Sequence, residues 1–332
     1  MRRSMRGLLV GGLSALVVFG LWMVGAFGPL ERVSFDLLTR IDARERAIHE
    51  DIEVVLLDQK SLDWASDTMG LDWPWPRELY AAMVSFFARA EAETVAADIV
   101  FLDDSPRGVA DDRAFGSAIE AYGRFIAAAV LGRETGSFRE WPEELAGSGL
   151  RLSGSADWLT PPEKNAAASP EGGGAAGADD ERGAPASLRF SRAAFPIPPV
   201  RDNAALLGNV RGSADPDGVY RRSTLFGVFD GHLVPTLGAA PYVLAQSGSG
   251  DGGGDGGATV RVEPGAIHFA GRSVPVDERG RAILRYKGGL AERAYSAAAL
   301  LQSEIRLRGG GDPPIDPEAF RGKHVLVGFS AP

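Results

Sequence analysis

The sequence predicts a layered α/β domain, a mixed sheet with flanking helices, preceded by one transmembrane helix. Three observations lead to that class. Short aliphatic runs of strand length alternate with stretches whose apolar residues recur every three or four positions, as β-α-β units require. The run 7–27, GLLVGGLSALVVFGLWMVGAF, carries no charge over 21 residues. The 332 residues are 45% hydrophobic and 24% charged, enough apolar material for one large core or two modest ones.

As a helix, the run 7–27 rises about 30 Å, the thickness of one bilayer hydrocarbon core. Arg2, Arg3 and Arg6 precede it, and Glu31 is the first acidic residue after it. The basic tail, residues 1–6, is therefore expected to stay in the cytoplasm. The membrane helix is assigned to 7–28 and the main domain, 29–332, to the extracytoplasmic side of the cell (inner) membrane. A cleaved signal peptide, cut near Val24 and Ala26, is the competing reading, but such apolar regions usually run only about 7–15 residues. Gly7, Gly11 and Ala15 repeat at four-residue spacing, a small-residue ladder that suits pairing of two such helices in a homodimer.

Beyond the span, residues 30–46 read as a helix with Leu30, Val33, Leu37, Leu38 and Ile41 on one face. Residues 52–57 are a buried strand, and 58–72 a loop that leads to Trp73-Pro74-Trp75-Pro76-Arg77. Pro76 suits a helix start and holds Trp75 extended. The helix then runs over 77–90, with Leu79, Met83, Phe86, Phe87 and Ala90 as its stripe. A second strand covers 94–101, which makes a β-α-β unit with a parallel pair. A helix over 111–122 stops at Gly123, and a third strand covers 125–131.

Residues 133–186 break this alternation. They are rich in Gly, Ala, Pro, Ser and acidic residues, and 161–186 holds too little apolar surface to offset its ordering entropy. The segment is expected to be a disordered insertion whose first part Trp141 and Trp158 pin to the body. Strand-like runs then cover 219–229, 260–263, 267–269, 273–276 and 282–286. Turns lie at Asp215-Pro216-Asp217-Gly218, Asp230-Gly231 and Glu278-Arg279-Gly280. Helices are expected over 236–246 and 296–301. Between them lies a Gly/Asp-rich flexible loop at 247–257. Residues 324–328 form a last buried strand.

Composition excludes several chemistries. There is no cysteine, hence no disulfide, thiolate metal site or cysteine nucleophile. His49, His232, His268 and His324 are widely spaced, without a metal-binding pattern. The formal net charge is −9, or −12 once the three tail arginines are set aside. An acidic surface opposes nucleic acid as a partner. No cofactor is expected: Gly248-x-Gly250-x-x-Gly253 follows a helix and precedes a strand, the reverse of a dinucleotide site. Asp215-x-Asp217-Gly218 begins like a calcium loop but lacks its later ligands, and a hydrogen-bonded turn explains it. No catalytic triad, phosphate loop or nucleophile elbow occurs.

Six residues stand out as ligand or switch positions. Asp98 lies within an apolar strand, where a carboxylate needs a partner, and Arg77 is the nearest candidate. Asp103 and Asp104 follow the carboxyl end of the second strand, the edge where open α/β sheets bind ligands, although exposed charges at a loop start are the simpler explanation. Trp73 and Trp75 serve either as an aromatic ligand wall or, the favoured reading, as a hydrophobic plug under the helix start.

These landmarks together resemble the type 2 CHASE domain, the cyclase- and histidine-kinase-associated sensory extracellular domain of bacterial transmembrane receptors. The matching segments are Phe35-Asp36-Leu37, residues 52–58, WPWPR at 73–77, VAADIVF at 95–101, DPDGVYRR at 215–222, ILRYKG at 283–288 and GKHVLVGFSAP at 322–332. The Gly/Ala-rich insertion is longer than the family leads one to expect, and the chain stops where the family pattern continues, as in a truncated product. The resemblance implies further membrane spans and a cytoplasmic nucleotide cyclase or kinase outside this chain, so no catalysis of its own.

The leading expectation is thus a signal-sensing input domain with an unknown extracellular or periplasmic ligand. The alternatives are a membrane-anchored metal-dependent hydrolase built on Asp98, Asp103 and Asp104, and an envelope adaptor, for which a ligand-sized pocket should be missing.

Overall fold

A computed structural model describes residues 2–45, 49–145, 151–153, 188–247, 259–263, 265–269, 271–287 and 293–330. The chain divides into two units, Met1–Ile48 with Arg285–Leu290, and His49–Leu284 with Ala291–Pro332.

The first unit carries helices α1 (Arg2–Met23) and α2 (Gly28–Glu45). The apolar run predicts helix through residue 28, but α1 ends at Met23. Gly25 adopts φ 70°, and the N–H groups of Gly25 and Ala26 return to the carbonyls of Trp22 and Leu21 at 3.0 Å. This is a Schellman stop, which satisfies carbonyls that the helix leaves open. No single described helix is long and apolar enough to cross a membrane. Val10–Met23 and Gly28–Ala43 meet that requirement together, bent by 76°.

The second unit is built on a seven-stranded sheet: β1 (Ile52–Leu57), β2 (Thr94–Ala97), β3 (Phe125–Gly132), β4 (Arg192–Ala194), β5 (Leu206–Asn209), β6 (Tyr295–Ser296) and β7 (His324–Phe329). Their order is β6-β1-β7-β2-β3-β4, with β5 also paired to β3. All pairs are parallel except β3 with β4, so the sheet is mixed. The final strand, β7, sits between β1 and β2, in register Val55↔Val327 and Val327↔Ala97.

Alternate residues face two helical layers. Val55, Leu57, Val95, Ala97, Val325 and Val327 point to helices α4 (Arg77–Arg89), α5 (Val109–Tyr122) and α8 (Ala297–Arg308). There Met83, Phe86, Phe87, Phe115, Ile119, Leu300 and Leu301 close the main core. Ala96 and Ile126 face the other side, against Leu237 and Ala240, where α7 (Ala240–Ser247) begins. Helix on sheet on helix is the layered arrangement predicted.

Several boundaries differ from expectation, each for a local reason. Residues 58–72 are not a loop, because α3 (Gln59–Met69) runs through them. Asp58 caps it by accepting from Ser61 N–H, and Gly70 ends it at φ 66°. The second strand stops at Ala97 rather than residue 101, and Phe101 instead turns inward, 5.0 Å from the rings of Tyr80 and Phe115. The run 219–229 divides: Arg222–Thr224 pairs with Arg281–Ile283, and Phe226–Phe229 pairs with His232–Pro235. The break is at Leu225, whose carbonyl takes the N–H of Thr236; that contact also delays α7, expected from 236. Helix α8 continues to Arg308, two turns beyond expectation. A satellite core of Phe226, Val228, Val260, Ile267 and Phe269 joins the small hairpins. The segments 154–187, which include Trp158, and 248–258 lie outside the described residues.

Candidate functional site

The site grows from a shortfall at the start of α4. Pro76 precedes this helix and offers no side-chain cap, so the first N–H groups of α4 need acceptors from elsewhere. Asp111, in the first turn of α5, supplies both: its carboxylate takes the N–H of Arg77 and of Glu78 at 2.8 Å. Asp112, beside it, is buried and pairs with Arg77, Oδ1 to Nε 3.3 Å. Arg77 also donates from Nη2 to the Asp103 carbonyl at 2.8 Å, and its guanidinium carbon lies 4.6 Å from the centre of the Phe101 ring. Ser105 completes the clamp, its N–H on Asp112 Oδ2 at 3.0 Å and its hydroxyl on Asp111 Oδ2 at 2.5 Å.

Arg77 is therefore the partner of Asp112, not of Asp98. Asp98 is the first residue past β2, with its N–H on the Val327 carbonyl at 2.7 Å and its side chain exposed. It does not sit inside the strand, so the requirement for a buried counter-ion lapses. Partial burial still pushes its carboxyl above the ordinary range.

The same clamp presents Leu102, Asp103 and Asp104 outward, where they form one lip of a cleft of about 730 Å³ at the carboxyl edge of β2 and β3. Val130 of β3 lies in its wall, with Phe138 and Phe195, whose ring centres are 5.2 Å apart. Phe138 is held by paired backbone hydrogen bonds to Ala193, and the Ile197 N–H reaches the Phe101 carbonyl at 2.8 Å. Arg201, at the end of the short helix α6 (Pro198–Arg201), reaches the cleft while buried to 7% exposure. Its Nε donates to Asp202 at 2.7 Å, and its Nη2 lies 3.7 Å from Glu144.

Of the six positions singled out from sequence, only Asp103 and Asp104 line this cleft. Trp75 is buried to 1% beneath α4, its ring 6.3 Å from that of Tyr80, and its indole N–H has no hydrogen-bond partner among the described residues. Trp73 is half exposed and meets Phe329 edge-on at 4.6 Å. Sequence reasoning missed Asp111, Asp112, Phe138, Phe195 and Arg201. The acidic pair lies in the first turn of α5, where it suits that helix's own dipole, so local sequence carries no sign of its role at the start of α4. The others become neighbours only through long-range pairing of β3 with β4.

The family model for the CHASE2 domain matches residues 13–332. The chain belongs to the CHASE2 domain family. No curated protein and no solved structure matches it. CHASE2 domains are extracytoplasmic sensory modules, not themselves catalytic. In this CHASE2 domain, no group of three His, Asp or Glu side chains comes together to hold a metal ion among the described residues. Asp98, Asp103 and Asp104 therefore do not form such a group. The DPDGVYRR segment forms a charge lattice instead: the buried Asp215 receives Arg221, Arg222 and Arg281 at 3.4, 3.1 and 3.5 Å. Asp217 takes Arg221 at 2.8 Å. These carboxylates are held by arginines within a turn.

Proposed function

We propose that this chain is the signal-sensing input domain of a bacterial membrane receptor, held on the extracytoplasmic face by its first apolar helix. The observation that carries the reading is the family match, which begins at residue 13, inside α1. The second half of the apolar helix, from residue 13 on, thus falls within the matched span. Val10, Leu13, Leu16, Phe19 and Trp22 are all exposed, as a helix in contact with lipid requires. In this reading residues 1–6 stay in the cytoplasm, the apolar stretch 7–28, helical to Met23 and broken at Gly25, provides the span, and the mixed sheet of the second unit receives the signal. The state of that sheet is relayed to a nucleotide cyclase or kinase outside this chain. A ligand shifts such a receptor only as far as its affinities for the two states differ.

Two copies pair through the small-residue face of the span. Among the described residues a Cβ at Gly7 or Gly11 would have no neighbour within 4 Å, which leaves room for a second helix there. Cross-linking in membranes should trap a dimer that Gly11→Leu weakens; an unchanged yield argues against pairing there.

Fractionation tests the anchor. The full-length chain should stay with membranes after alkaline carbonate washing, with residues 1–27 intact. Recovery of a soluble product that lacks its first two dozen residues would overturn the anchored reading.

A further inference from the structure

We infer that the cleft at the carboxyl edge of β2 and β3 binds an organic cation, an amine carried on an apolar or aromatic body. Size comes first: about 730 Å³ is within the range of small-molecule sites, and the position is where open α/β sheets take ligands. The wall is apolar, with the partly exposed Phe138 ring backed by the buried Phe195, a surface on which an apolar body and a cation both rest well.

Charge selects the sign. Asp103, Asp104 and Arg201 are the ionisable side chains of the lining. Arg201 is already matched by two carboxylates of its own, Asp202 at 2.7 Å and Glu144 at 3.7 Å. Asp103 and Asp104 lie exposed on the lip, and the Arg77 nearby spends its charge on Asp112 and reaches Asp103 at the backbone carbonyl, not at the carboxylate. The lining therefore carries a net negative formal charge. An anion meets repulsion there, and a bare metal ion finds no third carboxylate. An amine on an apolar body satisfies both lip and wall.

This deepens the sensory reading by giving it a ligand class, but binding in itself needs neither anchor nor relay. The test is titration of the purified full chain in detergent, by calorimetry, with three probes: 2-phenylethylamine, 3-phenylpropanoate and calcium alone. The amine should bind saturably and at least about tenfold more tightly than the carboxylate of matched shape. The double variant Asp103→Asn, Asp104→Asn should lose that preference while its circular dichroism and melting stay those of the parent. Leu102→Ala, which keeps the charges, should weaken the amine without changing the order of the probes. Equal binding of amine and carboxylate overturns the inference, as does no amine binding up to about 10 mM or amine binding that the double variant leaves intact. Calcium binding in place of amine binding overturns it too. None of these failures touches the anchor, which fractionation tests separately.

Discussion

Pro76 leaves the first turn of α4 without a cap; Asp111 of the neighbouring helix makes up the deficit, while Asp112 beside it pairs with the Arg77 side chain. Breaking a buried pair by removing one partner leaves the other charge uncompensated. Asp112→Ala should therefore destabilise the fold by about 3 kcal/mol in chemical denaturation, whereas Asp98→Ala should change it by less than about 0.5 kcal/mol. Equal effects would mean that Arg77 has its partner elsewhere. Sequence reasoning paired Arg77 with Asp98 as the nearest candidate; the choice of Asp112 depends on how α5 lies against α4, which local pattern does not encode. His324 gives a pH signature. Burial holds its imidazole below the usual range, against the opposing charges of Glu93 and Asp51, and one ring nitrogen lies 2.9 Å from Thr94 Oγ1. The unfolded chain takes up that proton first, so the stabilisation is complete above the ordinary histidine value of about 6.5 and is lost as pH falls. Unfolding free energy should decline from about pH 7.5 to 5.5, and His324→Gln should flatten that slope; an identical slope in the variant excludes the residue.

Elements were legible where their periodicity was strong. The stripe of α4 and the three aliphatic runs β1, β2 and β3 could be read directly, because each buries a face against the same core. Helix α3 was missed although Asp58 and Gly70 punctuate it, since few of its residues are apolar. Strands β4 and β5 were missed because they are short and exist only as partners of β3. The contact between α5 and α6 is as close as backbone allows. A Cβ at Gly116 would lie 2.5 Å from the Pro199 carbonyl oxygen, whereas one at Gly238 would have no neighbour within 4 Å among the described residues. Gly116→Ala should destabilise by about 2 kcal/mol and Gly238→Ala by less than about 0.5 kcal/mol, as read by thermal melting. It should also disturb the cleft, because Arg201 belongs to α6. A neutral Gly116→Ala would show that the two helices separate easily.

At the scale of the whole molecule, the last strand enters the sheet between the first two, so the core closes only when residues from both ends of the second unit meet. Deletion of residues 322–332 would leave β1 and β2 with facing unpaired edges. The deleted chain should show no cooperative unfolding transition, and a parent-like transition would refute the central place of β7. The sensory assignment depends on which side of a membrane this sheet occupies. The sequence contains no cysteine, so single cysteines can report position without background. The direct measurement is labelling of spheroplasts with a membrane-impermeant maleimide, with Glu120→Cys on the exposed side of α5 and Ser4→Cys in the basic tail. Glu120→Cys should react in intact spheroplasts and Ser4→Cys only after permeabilisation; the opposite pattern would place the sheet in the cytoplasm and contradict an extracytoplasmic sensor.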